Sequence, residues 1–411
     1  MTAFFDDLET RPSALREAAL MQALPRQIAN AQQNASGFSV ILSGIDASRV
    51  NTRAALAALP VTRKGELKDL QRATLPLGGL NATPVRKLAR IFMSPGPIYD
   101  PEGRRDDYWR SARQMYAAGF RAGDLVHNSF SYHLTPAGSM FESGAQKIGC
   151  TVIPAGVGNT EMQLQAIADL QPDAYVGTPS FLKIILDKAA ESGAPVSFRR
   201  ALCGGEALPP SLRAWFKERG IVVYQGYGTA DLGSIAYESE ALEGMIIDEE
   251  LIVEIVRPGT GDPVAEGEVG EVVVTTLNPD YPLIRFGTGD MSAVLAGPSP
   301  CGRTNMRIKG WMGRADQTTK VRGMFVHPSQ VADVVKRHAE IIKARLVVNG
   351  EMANDAMTLK VEIADWTEGG LKDKIADSVR DVTKLRADVL FVMPGELPND
   401  GKVIEDCRSY V

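Results

Sequence analysis

Residues 281–323 read YPLIRFGTGDMSAVLAGPSPCGRTNMRIKGWMGRADQTTKVRG, and this stretch decides the fold. It follows a β-rich apolar run, GEVVVTTL at 270–277, and ends at a basic, glycine-punctuated turn. Two polar clusters stand in it. In RFGTGD (285–290), Gly287 and Gly289 let the backbone turn sharply and present Asp290 beside Thr288 and Arg285. A carboxylate fixed on such a turn suits two adjacent hydroxyls, as on a ribose. In GRADQTTKVRG (313–323), Arg314 is a planar fork suited to phosphate or ribose oxygens, and Asp316 opens a polar run that reads as a linker. Taken singly, each cluster reads equally well as a surface hairpin with solvated charges.

Working outward, the chain resets after Asp316. Residues 326–341 form an amphipathic helical pattern, 343–350 and 356–364 read as strands, 370–385 as a second helix and 387–394 as a last strand. This small α+β unit closes with PGELPNDGKVIEDCR (394–408), whose Lys402 follows a glycine. Upstream, 245–290 carries strand patterns around the turn PGTGDP, which predicts a β-rich subdomain. Glu249 and Glu250 read there as members of a solvated strand face. Residues 108–231 alternate helical patterns with short apolar strands at 124–130, 150–155, 174–179, 201–208 and 221–231, the βαβ rhythm of a sheet covered by helices. The strand of 201–208 ends in Gly204 and Gly205 with Glu206 beyond, and that of 221–231 in Gly226, Tyr227 and Gly228. Ligands of α/β sheets collect outside carboxyl ends of strands, so these two ends predict a crevice. Phe130, Tyr132 and Phe141 cluster around a Gly/Pro-rich turn, either as core or as pocket wall. The N-terminal helices at 12–35 and 51–67 read as packing elements with solvated Lys and Arg.

Composition excludes several classes. A 411-residue chain with 44% hydrophobic and 23% charged residues is an ordinary globular protein with room for two or three domains. A net charge of −5 supplies no basic footprint for nucleic acid. The acidic N-terminus has no apolar leader, and no apolar run approaches the ~18 residues of a membrane helix. The four cysteines form no CxxC pair and read as reduced thiols of a cytoplasmic protein, and the four histidines are scattered.

In order and separation, the two clusters resemble the ribose-binding and hinge motifs of the adenylate-forming (acyl-CoA synthetase) superfamily. The likeness is greatest to its phenylacetate-CoA ligase branch, and it runs along nearly the whole chain. It implies a large N-terminal domain, 1–315, of βαβ layers with a β-rich subdomain, and a small mobile C-terminal α+β domain, 316–411, hinged at Asp316. It also implies an AMP-forming ligase that activates a carboxylic acid, aromatic by its pocket, with ATP and Mg²⁺ and passes it to CoA. Gly204, Gly205 and Tyr227 would frame the adenine, with Glu206 and Gly228 beside them. Asp290 and Arg314 would hold the ribose, Asp231 the metal, Lys402 the reacting phosphate, and Tyr132, Phe141 and Gly226 the acid. A homodimer is compatible with exposed edges in the β subdomain.

One segment departs from the pattern. Where the family carries a Ser/Thr/Gly-rich phosphate loop, this chain has MSPGPIYDPEGRR (93–105), keeping Ser94 and Gly96 as candidate phosphate contacts. Prolines 95, 97 and 101 stiffen it and remove N–H donors, which predicts a rigid β-turn. Arg104 and Arg105 stand downstream as substitutes for the missing lysine. The departure keeps a second reading open, a homologue that binds adenylate or acyl-CoA without activating acids.

Overall fold

A computed structural model describes the chain except at positions 1–2, 95–96, 259, 316, 318, 323, 327, 351–354, 364–369, 399–401 and 409–411. Gly96 and the hinge candidate Asp316 therefore lie outside the described residues. The chain divides into two compact units, Met1–Met312 and Gly313–Val411.

The first unit is built on a nine-stranded sheet. Strands Thr151–Pro154, Leu125–Asn128, Ala174–Gly177, Arg200–Cys203 and Val222–Thr229 lie parallel, in that spatial order. Gly233–Tyr237, Met245–Ile247 and Arg307–Ile308 then continue it antiparallel. Helices Ala137–Ile148, Thr160–Leu170, Pro179–Ser192 and Pro210–Glu218 separate the parallel strands in sequence. Ala174–Gly177 is buried along its whole length, as a strand covered on both faces must be.

A second sheet orders Thr62–Arg63, Phe286–Ser292, Gly270–Thr276 and Leu251–Val256. Its last two strands are buried at every position, so the half-solvated face expected of this region is covered. The cover is the first helix, Ser13–Asn34. Its Leu20, Leu24 and Ile28, four residues apart, share one core with Ile252, Val274 and Phe286. Each such side chain contributes roughly 1.5–3 kcal/mol by burial.

Of the two acids expected on a solvated face, Glu249 is buried and Glu250 keeps 44% of its side chain exposed. Arg16 donates to Glu249 at 2.8 Å and Arg11 to the same carboxylate at 3.0 Å. Arg303 pairs with Glu9 at 2.6 Å and Arg113 with Asp248 at 2.7 Å. The N-terminal segment is thereby fastened to the sheet by desolvated pairs, and a buried arginine serves because its fork satisfies several acceptors at once.

The second unit is α+β. Strands Asp388–Val392, Ala356–Ile363, Ile341–Asn349 and Ile404–Asp406 make one sheet in that order, with helices Pro328–Arg337 and Leu371–Thr383. Ile375 and Val379 of the second helix pack with Leu346, Val348, Leu359 and Val361. The two helices and three of these strands fall where the sequence patterns place them, whereas strand Ile404–Asp406 and the pair Thr319–Val321 and Met324–Val326 do not show in those patterns.

Candidate functional site

The carboxyl ends of the parallel strands carry the candidate residues. Gly204 follows strand Arg200–Cys203, and its N–H donates to Gly177 O at 3.2 Å. A Cβ on Gly204 would meet Gly226 O at 3.2 Å, and one on either Gly204 or Gly205 would touch the Phe130 ring at 3.9 Å. Gly205 has φ +76°, which favours glycine on its own account. Glu206 Oε2 accepts from Ser180 N at 3.3 Å, while Gln225 donates to Glu206 O at 3.0 Å. Gly228 is needed for packing, because a Cβ there would lie 2.4 Å from Gly233 O. These glycines leave a flat backbone floor beside an aromatic wall.

Tyr227 and Asp290 meet. The Tyr227 hydroxyl donates to Asp290 Oδ2 at 3.0 Å, and Trp311 Nε1 donates to Oδ1 at 3.1 Å. Asp290 N donates to Thr288 Oγ1 at 3.1 Å, which fixes the turn. Trp311, half exposed, is a member of the site that the sequence reading missed. Arg285 is not one. Its guanidinium turns away to Glu254 at 3.0 Å and to the carbonyls of Ala57, Leu59 and Gly261 at 2.7, 2.5 and 2.7 Å. It is a buried strut of the β subdomain.

Phe130 and Phe141 stack at 4.7 Å with ring planes 10° apart. Tyr132 lies over Gly138, where a Cβ would intrude at 2.7 Å, and its hydroxyl accepts from Asn128 at 2.8 Å. Burial, with the Glu142 carboxylate adjacent, holds the Tyr132 phenol above its ordinary pKa. Apolar rings with one protein-bound hydroxyl form a wall suited to a flat apolar group.

On the other flank is a buried charge cluster. Strands Arg90–Ser94 and Ile98–Glu102 pair antiparallel, and the turn predicted from the prolines falls at 95–96, outside the described residues. Ser94 Oγ donates to Ile98 O at 3.3 Å. The downstream arginines serve the backbone: Arg104 binds the carbonyls of Lys87 and Leu88, and Arg105 binds Tyr108 O and Glu250. Instead, Lys64 reaches the cluster. Its Nζ donates to Asp231 Oδ2 at 2.5 Å, with a quarter of the lysine side chain exposed and none of the aspartate. A lysine in the polar turn VTRKGEL gave no sign of this.

Asp100 completes the group. It is wholly buried, and among the described residues neither oxygen accepts a hydrogen bond of ordinary geometry, Ser94 and Asp231 being its polar neighbours. Burial first, then the charge of nearby Asp231, pushes its pKa up to about 8. Burial pulls the Lys64 ammonium down, but Asp231, then Asp100 and Asp290, outweigh it and leave its pKa raised. For Asp100 the sign is that of an acid whose folded pKa is raised. Folding takes up a proton, so stability is lost as pH rises from about 4 to about 8 and changes little above. Asp100→Asn is therefore expected to be more stable than the parent by a margin that grows over that window, reaching at least ~1 kcal/mol at pH 8. Denaturant midpoints at pH 5, 7 and 9 check this, and equal margins at all three would contradict it.

Lys402 and Arg314 lie in the second unit. Lys402 is exposed, and the backbone after it is fixed: Val403 N and Ile404 N both donate to Gln317 Oε1, at 2.5 and 3.1 Å. Arg314 is partly buried, and its carbonyl accepts from Gln317 N at 3.2 Å.

Residues 110–278 match the family described as AMP-binding enzyme. Phenylacetate-coenzyme A ligase of Aromatoleum evansii is 32% identical over 78% of this chain and 75% of its own length. The ligase of the same name from Thermus thermophilus is 29% identical over 95% of this chain and 96% of its own. A crystal structure of 2-hydroxyisobutyryl-CoA ligase with its adenylate and CoA superposes with a TM-score of 0.76, covering 99% of this chain and 93% of that one at 24% identity. The chain belongs to the adenylate-forming, AMP-binding superfamily, in its phenylacetate-CoA ligase-like branch.

Proposed function

We propose that the protein is an AMP-forming acid–CoA ligase. Its carboxylic acid attacks the α-phosphorus of ATP and expels pyrophosphate; the CoA thiol then attacks the acyl carbon and AMP leaves. The observation that carries this reading is the Tyr227–Asp290 pair at the glycine floor, in a chain whose relatives bear that name. Gly204, Gly205 and Tyr227 frame the adenine, with Glu206 and Gly228 at its edge. Asp290 accepts from the ribose hydroxyls, and Arg314 donates to ribose oxygens. Phe141, Tyr132 and Gly226 bound the acid, and the stacked Phe130–Phe141 pair favours an aromatic one.

Mg²⁺ fits the cluster, because Asp231 Oδ1 is buried with no hydrogen bond of ordinary geometry among the described residues. Bound there, it would draw negative charge from the phosphate oxygens. Lys402 supplies an ammonium to the charge that gathers on the reacting phosphate, and Asp316 is the hinge that admits the thiol.

Asp290→Ala is expected to weaken AMP binding by roughly 10–100-fold, the loss for removing a charged acceptor of two hydroxyls. Calorimetry with AMP checks it. AMP binding undiminished in Asp290→Ala, or absent from the parent, would remove the nucleotide site from this crevice.

A further inference from the structure

We propose that Asp100 is a second carboxylate ligand for the nucleotide's divalent cation, facing Asp231, and that Lys64 keeps the place of that cation until it arrives. The inference rests on the ligase reading and names a ligand that this chain's own hairpin supplies.

In strand Ile98–Glu102, Ile98 and Asp100 are buried while Tyr99 between them is partly exposed. Ile98 is an ordinary buried residue. A buried carboxylate in the same strand is costly unless something binds it. Three carboxylate oxygens, both of Asp100 and Oδ1 of Asp231, lie buried with no hydrogen bond of ordinary geometry among the described residues, and the polar neighbours of Asp100 are Ser94 and Asp231. The Lys64 ammonium is the local cation, on Asp231 Oδ2. It satisfies one oxygen of the four. Among the described residues, no three Asp, Glu, His or Cys side chains gather into a metal cage. Two carboxylates with the remaining positions left to phosphate and water is the usual way a small, hard divalent cation is held beside a nucleotide. Lys64 enters from a partly exposed stem, so it can withdraw from Asp231 and turn its ammonium to the phosphates, where the family's loop would have placed one.

The test is Mn²⁺ binding, read by electron paramagnetic resonance, with and without ATP and with neither acid nor CoA. The parent should bind one Mn²⁺ in the presence of ATP. Asp100→Asn and Asp231→Asn should each weaken it by about tenfold or more, since affinity follows ligand charge. Lys64→Met should bind Mn²⁺ more tightly than the parent when ATP is absent. A parent-like Mn²⁺ affinity in folded Asp100→Asn would overturn the proposal. So would Lys64→Met with no gain, or a parent that binds AMP but no Mn²⁺ under either condition. AMP titration of the same samples separates the two failures: intact AMP binding leaves the ligase reading standing, and its loss sinks that reading first.

Discussion

Lys402→Ala is expected to slow adenylate formation by roughly 10²–10³-fold, the range for removing one preorganised stabiliser of transition-state charge. Its thermal midpoint should stay within about 1 °C of the parent, as for surface substitutions remote from the core. Lys402 is exposed, and the segment after it is held by backbone donors to Gln317, which the substitution leaves intact. The hydrophobic core of the second unit takes Ile404 and Val403 from this segment and nothing from the lysine. Single-turnover production of acyl-adenylate separates the two half-reactions. A variant slowed equally when started from preformed adenylate and CoA would assign Lys402 elsewhere, and one that unfolds would make it structural.

Arg285→Ala should cost about 3–5 kcal/mol of stability, the loss when one partner of a buried pair is removed and the other charge stays behind. Every arm of the guanidinium is engaged, one on Glu254 and the others on three carbonyls from two loops. Glu254 is itself buried, and burial already raises its pKa against the pull of Arg285. The Arg285 backbone sits at φ +44°, a conformation that a non-glycine residue holds only when its surroundings insist. Arg285→Lys should recover little, because a point ammonium cannot span these acceptors. Denaturant unfolding of the three proteins measures this. A loss below about 1 kcal/mol for Arg285→Ala would show that the network relaxes around the gap, as ordinary surface positions do.

Arg285 also marks where sequence reading stops. It stands five residues before Asp290 and was read with it, yet the left-handed backbone sends its side chain the opposite way. Asp290 and Tyr227 were legible because each stands among glycines near the carboxyl end of its strand, although the two strands belong to different sheets. Lys64 was not legible. A lysine in a polar turn looks the same whether it meets water or a carboxylate 167 positions away in sequence. Asp100 was hidden by its setting, since prolines explain a rigid turn without saying which face its acid takes. Glu249, read as solvated, is buried because Arg16 of the first helix and Arg11 just before it both pair with it. The α+β unit was legible in its two helices and three of its strands, whose periodicities are those that burial of one face imposes, but not in strand Ile404–Asp406, read as a closing loop.

The most direct test of the central claim is AMP release by the purified protein given ATP, Mg²⁺, CoA and a panel of aryl and short-chain carboxylic acids. The account predicts AMP and acyl-CoA formed in equal amounts, with aryl acids preferred, and no AMP when the acid is left out. AMP and acyl-CoA bound by the protein, with no AMP released for any acid, would contradict it and identify a fold that keeps the adenylate crevice without the activation step.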